Sequence, residues 1–206
     1  AMVGKSLGVI TGNTWERDDN GNIIFHELSA SQKALYGGEY VPTYNQNTLD
    51  ELGNFHPDFT GGFNTSISFK NFRLSANIDF SVGGQIVSYT NMWGSSSGIL
   101  DKTAELNDRG VNVREPVSKG GGIHMTGVDQ DGNKVDTYVN AKLYYTTASR
   151  VWEEWVYDRT YVKLREVSLS YVFPSQTLKK LNIGLSRASV AINASNPWLI
   201  YSACPN

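Results

Sequence analysis

The segment FRLSANIDFS, residues 72–81, alternates strictly between apolar and polar side chains. Because successive side chains of a strand point to opposite faces, this segment predicts a strand with one apolar and one polar face. The question that it raises is what the apolar face contacts. Both the core of a water-soluble protein and the hydrocarbon of a membrane would suit such a face.

Residues 63–69, directly before this strand, predict its hairpin partner. With Lys70-Asn71 as a two-residue turn, Phe69 faces Phe72, and the other apolar residues also meet apolar residues across the pair. A slip of one residue would bring apolar side chains opposite polar ones, so the register is strongly specified. Within the turn, Asn71 is the residue that we expect to accept a positive φ.

The composition favours β-structure and excludes several classes of protein. Of 206 residues, 40% are hydrophobic and 18% charged, and aromatic residues and glycine are abundant, which favours strands and many turns. The net charge of −2 provides no basic surface for phosphates, so no nucleic-acid partner is expected. The single cysteine, Cys204, excludes an internal disulfide. No run of 18 apolar residues predicts a membrane-spanning helix.

Alternation and turn residues predict further elements along the chain. We expect strands over 5–15, 161–174 and 188–194, hairpin turns at Asn20-Gly21 and Asp131-Gly132, a short helix over 99–107, and irregular structure over 27–62. After Pro174 we expect a longer turn, over SQTLKKLNIGLSR, that can hold one turn of helix.

The predicted strands are joined by connections of two very different lengths. Those after Phe69 and Phe173 are short, whereas residues 16–62 and 82–156 are long and mostly polar. Short turns on one side and long extracellular loops on the other are typical of an outer-membrane β-barrel. Residues 72–80 extend over about 26 Å at 3.3 Å per residue, and at a tilt near 40° they cross roughly 20 Å of the ~25 Å apolar band.

We therefore interpret the chain as all-β, an antiparallel segment of a transmembrane β-barrel with long extracellular loops. Its lumen face would carry Arg73, Asn77, Asp79 and Ser168, and its lipid face Leu74, Ile78, Val167 and Leu169. The alternative is a soluble, secreted β-sandwich that binds carbohydrate, in which the same apolar side chains would lie enclosed between two packed sheets.

Longer segments carry a resemblance to a known family. They are HPDFTGGFNTSISFKNFRLSANIDFSVGGQI (56–86), TNMWGSSSGILDKTAELNDRG (90–110), YDRTYVKLREVSLSYVFP (157–174) and NASNPWLIYS (193–202). In this order they resemble the C-terminal part of the β-barrel of SusC/RagA-like TonB-dependent transporters, and the resemblance covers nearly the whole chain.

The resemblance implies a 22-stranded barrel with an N-terminal plug in the outer membrane of Bacteroidetes. It implies nutrient uptake of glycans, oligosaccharides or peptides, a SusD-like surface lipoprotein as partner, and energy from TonB through the absent N-terminal part. Residues 1–206 would be a C-terminal portion with about five strands, without the plug domain and the last strand. Open strand edges in lipid cost several kcal/mol per unpaired backbone group, so we expect the remainder of the same barrel to complete the sheet.

Aromatic residues in and beside the second long loop are the candidate binding residues. Tyr and Trp are enriched in protein interfaces, and their apolar faces also suit sugar rings. We consider four alternative roles for them: contact with a ligand, contact with a partner protein, packing within the loop, and anchoring at the membrane interface. The residues are Trp93, Tyr144, Tyr145, Trp152 and Trp155.

No catalytic site and no cofactor is predicted. The segment GSSSG around Ser96 fits G-x-S-x-G, but the alternating strands and helices that a nucleophile elbow needs are missing. Glu153 and Glu154 are adjacent, so on a strand they would point to opposite faces, and nothing selects a glycosidase pair. An enzyme is therefore not expected.

No metal site is predicted either. The loops that begin with DDNGN at Asp18 and DQDGN at Asp129 lack the Gly at position 6 and the Glu at position 12 that an EF-hand requires; Ile23 and Ser29 stand there in the first, Lys134 and Asn140 in the second. Turn chemistry explains them better, with a looser calcium site as the alternative. His26, His56 and His124 are scattered without metal-ligand spacing.

Overall fold

The computed structural model describes residues 4–181 and 184–205. The strands in these ranges are β1 (Val9–Gly12), β2 (Phe25–Glu27), β3 (Tyr40–Pro42), β4 (Asp50–Asn54), β5 (Phe59–Phe69), β6 (Phe72–Val82), β7 (Gln85–Val87), β8 (Ile123–Val128), β9 (Lys134–Val139), β10 (Val156–Asp158), β11 (Tyr161–Val172) and β12 (Ser189–Ser202). The helices are α1 (Ala30–Tyr36), α2 (Tyr89–Ser96), α3 (Ala141–Ala148) and α4 (Ser175–Leu181), and 3-10 turns cover Asp101–Ala104, Val117–Lys119 and Trp152–Trp155. Within the described ranges, no helix has the length and apolar character needed to cross a membrane.

The chain divides into two compact units, each built from two separate stretches of sequence. The loop unit comprises Ala1–Asn54 and Ile86–Val156, and the sheet unit comprises Phe55–Gln85 and Tyr157–Asn206. Most of the residues predicted to form long connections belong to the loop unit.

The sheet unit is an antiparallel four-stranded sheet in the order β12-β11-β6-β5. The predicted hairpin register is confirmed, because Phe69 pairs with Phe72 and each further pair follows without a shift. The turn differs in one respect, since Lys70 and not Asn71 has the positive φ, at 54°. Two-residue hairpin turns need a positive φ at their first central residue, while the Asn71 amide donates to the carbonyl oxygen of Val172 at 2.7 Å.

The expected strand count of about five is not confirmed, because the sheet has four strands among the described residues. The first predicted strand, residues 5–15, is shortened to β1, which pairs with β4 in a separate two-stranded ladder. Trp15 lies beyond its end and is buried in the core of the loop unit. Burial of this large side chain therefore decides where the segment packs.

The connection after β11 is the longer turn expected after Pro174, and its helix is longer than the single turn expected. It runs to Ser189 and contains α4, which begins directly after Pro174. Proline fits the first turn of a helix because the missing N–H has no intrahelical partner there. Residues 182 and 183 of this predicted turn lie outside the described residues.

A β-bulge in β11 was not predicted from the alternation. Leu164 pairs with Ile78 and Glu166 pairs with Asn77, so Arg165 is the extra residue. Because paired residues share a face, the bulge keeps Leu164 on the same apolar face as Val167. The signal was present, since these two apolar residues are three positions apart in a pattern that otherwise repeats every two.

Residues 27–62, predicted as irregular, contain α1 and several strands. Helix α1 begins after Ser29, which forms a capping box with Gln32, and it ends at Gly37, with φ 73°. The spacing S-x-x-Q was the available signal for this helix start. The prediction of irregular structure over these residues is therefore wrong.

The helix predicted over 99–107 is also wrong, since only a 3-10 turn forms there and α2 lies upstream. The Thr103 hydroxyl donates to the carbonyl oxygen of Leu100 at 2.6 Å. The Asn107 side chain accepts from two backbone N–H groups that follow it. Such local bonds between side chain and backbone compete with a continuous helix.

Three clusters of buried side chains form the core of the loop unit. Their buried members are Trp15, Met92, Ala148, Val151 and Trp155 in the first, Phe25, Val135 and Val139 in the second, and Val113, Ala141 and Tyr145 in the third. Tyr144 packs against all three clusters. The long connections are thus packed structures with their own apolar cores.

Candidate functional site

The polar side of the sheet forms an open groove. A cavity of about 330 Å³ lies on it. Its lining is Asn64, Thr65, Ser66, Arg73, Ser75, Ala76, Asn77 and Glu166. These residues come from β5, β6 and β11, so alternation on three strands places polar groups on one surface.

A charged cluster lies at the bulge on this polar side. Arg165 Nε donates to Asp79 Oδ1 at 2.8 Å, and Arg165 Nη1 donates to Asn196 Oδ1 at 3.2 Å. Asn196 has a φ of 51° and lies at an irregularity of β12. The bulge thus directs one guanidinium to partners on β6 and β12. The sequence predicted Asp79 on this side but gave no indication of its partner.

The opposite side of the sheet is apolar and exposed. Leu74 is 46% exposed, Leu169 45% and Ile192 74%. Leu74 faces Leu169, and Leu169 faces Ile192, so the three form one row across three strands. The enclosure between two packed sheets that the β-sandwich alternative requires is not found among the residues that the structure describes.

Two of the five aromatic candidates fill core positions. Trp155 is 2% exposed, and its indole N–H donates to the carbonyl oxygen of Ala148 at 2.7 Å. Tyr145 is 9% exposed and donates its hydroxyl to the carbonyl oxygen of Lys102 at 2.9 Å. Burial raises the pKa of Tyr145. Both side chains therefore stabilise the unit by packing.

The remaining aromatic candidates differ in exposure. Burial raises the pKa of Tyr144, whose ring stacks with Trp15 at 6.3 Å between centroids. Trp152 is partly buried and meets Tyr89 edge to face at 5.8 Å. Trp93 is 60% exposed on α2. Of the five, Trp93 thus presents the most open aromatic surface, and contact with a ligand or partner stays a prediction.

A clamp on Trp15 was missed by sequence reasoning. Trp15 donates its backbone N–H to Glu153 Oε1 at 2.9 Å and its indole N–H to Glu154 Oε1 at 2.5 Å. Arg17 pairs with Glu153 at 3.1 Å. The two carboxylates lie on a 3-10 turn and not on a strand, so both reach one partner. No local pattern signals a contact between residues almost 140 positions apart.

The two predicted hairpin turns, at Gly21 and Gly132, are confirmed and are built alike. Asp18 accepts backbone N–H groups from the residues two and four positions later, at 3.0 and 2.7 Å. Asp129 accepts the equivalent pair at 3.0 and 2.8 Å. Gly21 and Gly132 have φ values of 83° and 82°. The motif D-x-[ND]-G-N is thus one turn used twice.

Hydrogen bonds inside these turns occupy the carboxylates that a calcium ion would need. The side chains of Asn22 and Asn133 donate to Asp18 and Asp129 and lower the pKa of each carboxyl. No group of three or more His, Cys, Asp or Glu suited to a metal occurs among residues 4–181 and 184–205.

His124 is held by carboxylates on both sides. Its Nδ1 lies 2.9 Å from Asp108 Oδ2 and its Nε2 lies 2.8 Å from Asp136 Oδ1. Tyr138 stacks on the imidazole at 4.8 Å, and its hydroxyl donates to Asp108 and lowers the pKa of that carboxyl. Ser96 of the GSSSG segment is the last residue of α2.

An antiparallel sheet with one exposed apolar face and one polar face, joined to long structured connections, is typical of the wall of an outer-membrane-type β-barrel. No family model matches the sequence. A curated relative, TonB-dependent receptor P3 of Formosa agariphila, is 29% identical over 195 residues, which are 91% of this chain and 17% of the relative.

Two solved structures share the fold. The RagAB peptide importer in its closed-closed state aligns with a TM-score of 0.54 at 16% identity, over 94% of this chain and 19% of that chain. In its open-open state it aligns with a TM-score of 0.52 at 14% identity, over 98% of this chain and 20% of that chain. The resemblance to SusC/RagA-like TonB-dependent receptors is confirmed, and the chain spans about a fifth of the length of these relatives.

Proposed function

We propose that these residues are a segment of an outer-membrane active transporter that imports glycans, oligosaccharides or peptides. The observation that supports this most directly is the exposed row Leu74, Leu169 and Ile192 on one face of a sheet whose other face is polar. If water covered both faces, exposure of this apolar row would cost free energy. Hydrocarbon against one face removes that cost.

The remainder of the same barrel would pair with the outer edges of β5 and β12. In the described sheet each of these strands has one neighbour. A free edge in lipid leaves backbone groups without hydrogen bonds, so further strands of the same polypeptide would continue the sheet. Residues 1–206 would then be a C-terminal portion of the barrel, and its plug would lie in another part of the polypeptide.

Labelling of two neighbouring residues tests the membrane assignment. In a cysteine-free background of the full-length protein, which includes Cys204→Ser, Ser168→Cys faces the polar side and Leu169→Cys the apolar side of β11. We expect a membrane-impermeant maleimide to label the Ser168 variant in intact outer membranes and the Leu169 variant only after detergent. Equal labelling of both in intact membranes would contradict the proposal.

A SusD-like lipoprotein and TonB are the proposed partners. Similarity to a TonB-dependent receptor and to the RagAB peptide importer supports an importer that works with other proteins. Trp93, the most exposed of the five aromatic candidates, is the residue that we propose for contact with partner or cargo.

Co-purification and growth test these finer points. We expect a tagged full-length protein to retain a surface lipoprotein, and Trp93→Ala to reduce the recovery of that lipoprotein or the uptake of cargo. Trp155→Phe, at a buried site, serves as a packing control. Growth of a deletion strain on single glycans and single peptides identifies the cargo, and unimpaired growth on every one would count against import.

A further inference from the structure

A second cavity, in the loop unit, combines cationic and hydroxyl groups without a carboxylate. Its volume is about 240 Å³. The lining consists of Ser95, Ser96, Ser97, Gly98, Thr103, Arg114, Ala141, Lys142 and Tyr145. Arg114 and Lys142 are the charged members, and both are cations. An adjoining cavity of about 380 Å³ shares Arg114, Ala141 and Lys142 with it and also has no acidic lining residue.

The guanidinium of Arg114 is held in place by the fold. Its Nε donates to the carbonyl oxygen of Thr103 at 2.8 Å, and its Nη2 donates to the Thr103 hydroxyl at 2.6 Å and to the carbonyl oxygen of Gly98. These partners are neutral, so the positive charge is not cancelled by an ion pair. The Nη1 group has no hydrogen bond within the described residues and remains available for an acceptor.

Two further features favour an anion at the same place. Ser95 is 1% exposed, lines the cavity, and has no hydrogen-bond partner for its hydroxyl among the described residues. Buried hydroxyls are nearly always hydrogen-bonded, so an unpaired one beside a cavity indicates a missing acceptor or donor. Ala141 and Lys142 are also the first residues of α3; the Asn140 side chain accepts from the backbone N–H groups of Lys142 and Leu143, so the helix contributes the partial positive charge of its dipole and not these donors.

We propose that this cavity binds the oxyanion of an acidic saccharide, a carboxylate or a sulfate ester, through Arg114, Lys142 and Ser95. The guanidinium, the ammonium and the Ser95 hydroxyl bind the oxyanion, and Ser96 and Ser97 hydrogen-bond ring hydroxyls of the sugar. Tyr36 is a lining residue of the adjoining cavity, where the rest of the sugar would lie. The inference that this saccharide is cargo rests on the proposed transport function. The inference that the cavity binds an oxyanion is independent of it.

Isothermal titration of the purified full-length protein in detergent at low salt tests this site without transport. The probes are glucuronate, glucose 6-sulfate, glucose, inorganic sulfate and glutamate. We expect at least one of the two acidic sugars to bind tenfold more tightly than glucose, sulfate and glutamate, and comparison of these two sugars distinguishes carboxylate from sulfate ester. The proposal would be overturned if glucose bound as tightly as both acidic sugars. It would also be overturned if glutamate or sulfate alone bound as tightly as the better of the two acidic sugars.

Matched variants separate this site from general charge and from stability. Lys142→Gln is expected to weaken binding of the acidic sugar at least tenfold, while Lys134→Gln, at the exposed first residue of β9, leaves it unchanged. Ser95→Ala is expected to weaken binding about fivefold without lowering the thermal midpoint, because its hydroxyl has no protein partner to lose. Equal effects of the two lysine variants, or unchanged binding in both Lys142→Gln and Ser95→Ala, would contradict the assignment.

Discussion

Leu74 of β6 and Leu169 of β11 lie opposite each other in the sheet, and each leaves nearly half of its surface exposed, 46% and 45%. Full burial of one leucine side chain is worth about 1.5–3 kcal/mol. A soluble sheet would cover such a pair with a second layer. The exposed pair is instead suited to hydrocarbon.

The first prediction concerns this face. Leu74→Arg should block assembly of the full-length protein into the outer membrane, because an arginine on the lipid face costs about 2–4 kcal/mol near mid-bilayer. Ser75→Arg, one residue further on the polar face, should be tolerated. The measurement is the amount of heat-modifiable protein in the membrane fraction, and equal amounts for both variants would refute the lipid assignment.

A second prediction concerns the bulge at Arg165. Deletion of Arg165 removes the extra residue and leaves Leu164 and Val167 two positions apart, so regular pairing with β6 keeps both on the apolar face. We therefore expect the deletion variant to fold in the membrane. Arg165→Ala keeps the bulge and removes only the contacts with Asp79 and Asn196, so this variant should also fold, with a small destabilisation because the ion pair is partly exposed to solvent. Loss of folded protein in the deletion variant alone, measured by urea titration, would show that the bulge itself is required.

The clamp on Trp15 leads to a third prediction. Trp15→Phe keeps most of the buried ring but removes the indole N–H that donates to Glu154. A hydrogen bond to a charged group contributes about 1.5–3 kcal/mol. We expect a destabilisation at or below the lower end of this range, because water can hydrogen-bond to the partly exposed carboxylate in place of the indole. Limited proteolysis of the loop unit reports it. Glu105→Gln, at a glutamate on the same unit with no contact to Trp15, should leave the cleavage rate unchanged.

A fourth prediction concerns the repeated turn. Hydrogen bonds lower the pKa of Asp129 below its ordinary value of 3.8, so its stabilising effect is present above that value and lost as pH falls through the folded pKa. Asp129→Asn should lower the thermal midpoint at pH 6 and differ less from the parent protein at pH 3. Asp131→Asn, in the same turn, should have little effect at either pH. A midpoint raised by millimolar calcium in the parent protein only would instead indicate a calcium site.

Parts of the fold follow from local rules and could be predicted. The pairing of β5 with β6 is confirmed residue by residue, because a period of two leaves one register that separates apolar from polar side chains. The turns at Gly21 and Gly132 were also predicted, because an Asp-initiated turn with a glycine at positive φ depends on neighbours within five residues.

Several features of the loop unit could not be predicted from local sequence patterns. The site of α2, the clamp of Glu153 and Glu154 on Trp15, and the cation-lined cavity beside Ser95 depend on segments far apart in the chain. Their energies come from burial and from hydrogen bonds between such segments, which residue type alone does not reveal.

The amino-acid sequence by itself determined a sheet with one apolar and one polar face, its hairpin register, and the family that it resembles. Only the tertiary structure decided that Leu74 and Leu169 stay uncovered, that a bulge directs Arg165 to Asp79, and that Trp155 and Tyr145 serve the core while Trp93 stays open. The physical reason is the distance along the chain over which each effect acts. Alternation acts between adjacent residues, whereas burial depends on which distant side chains reach the same volume.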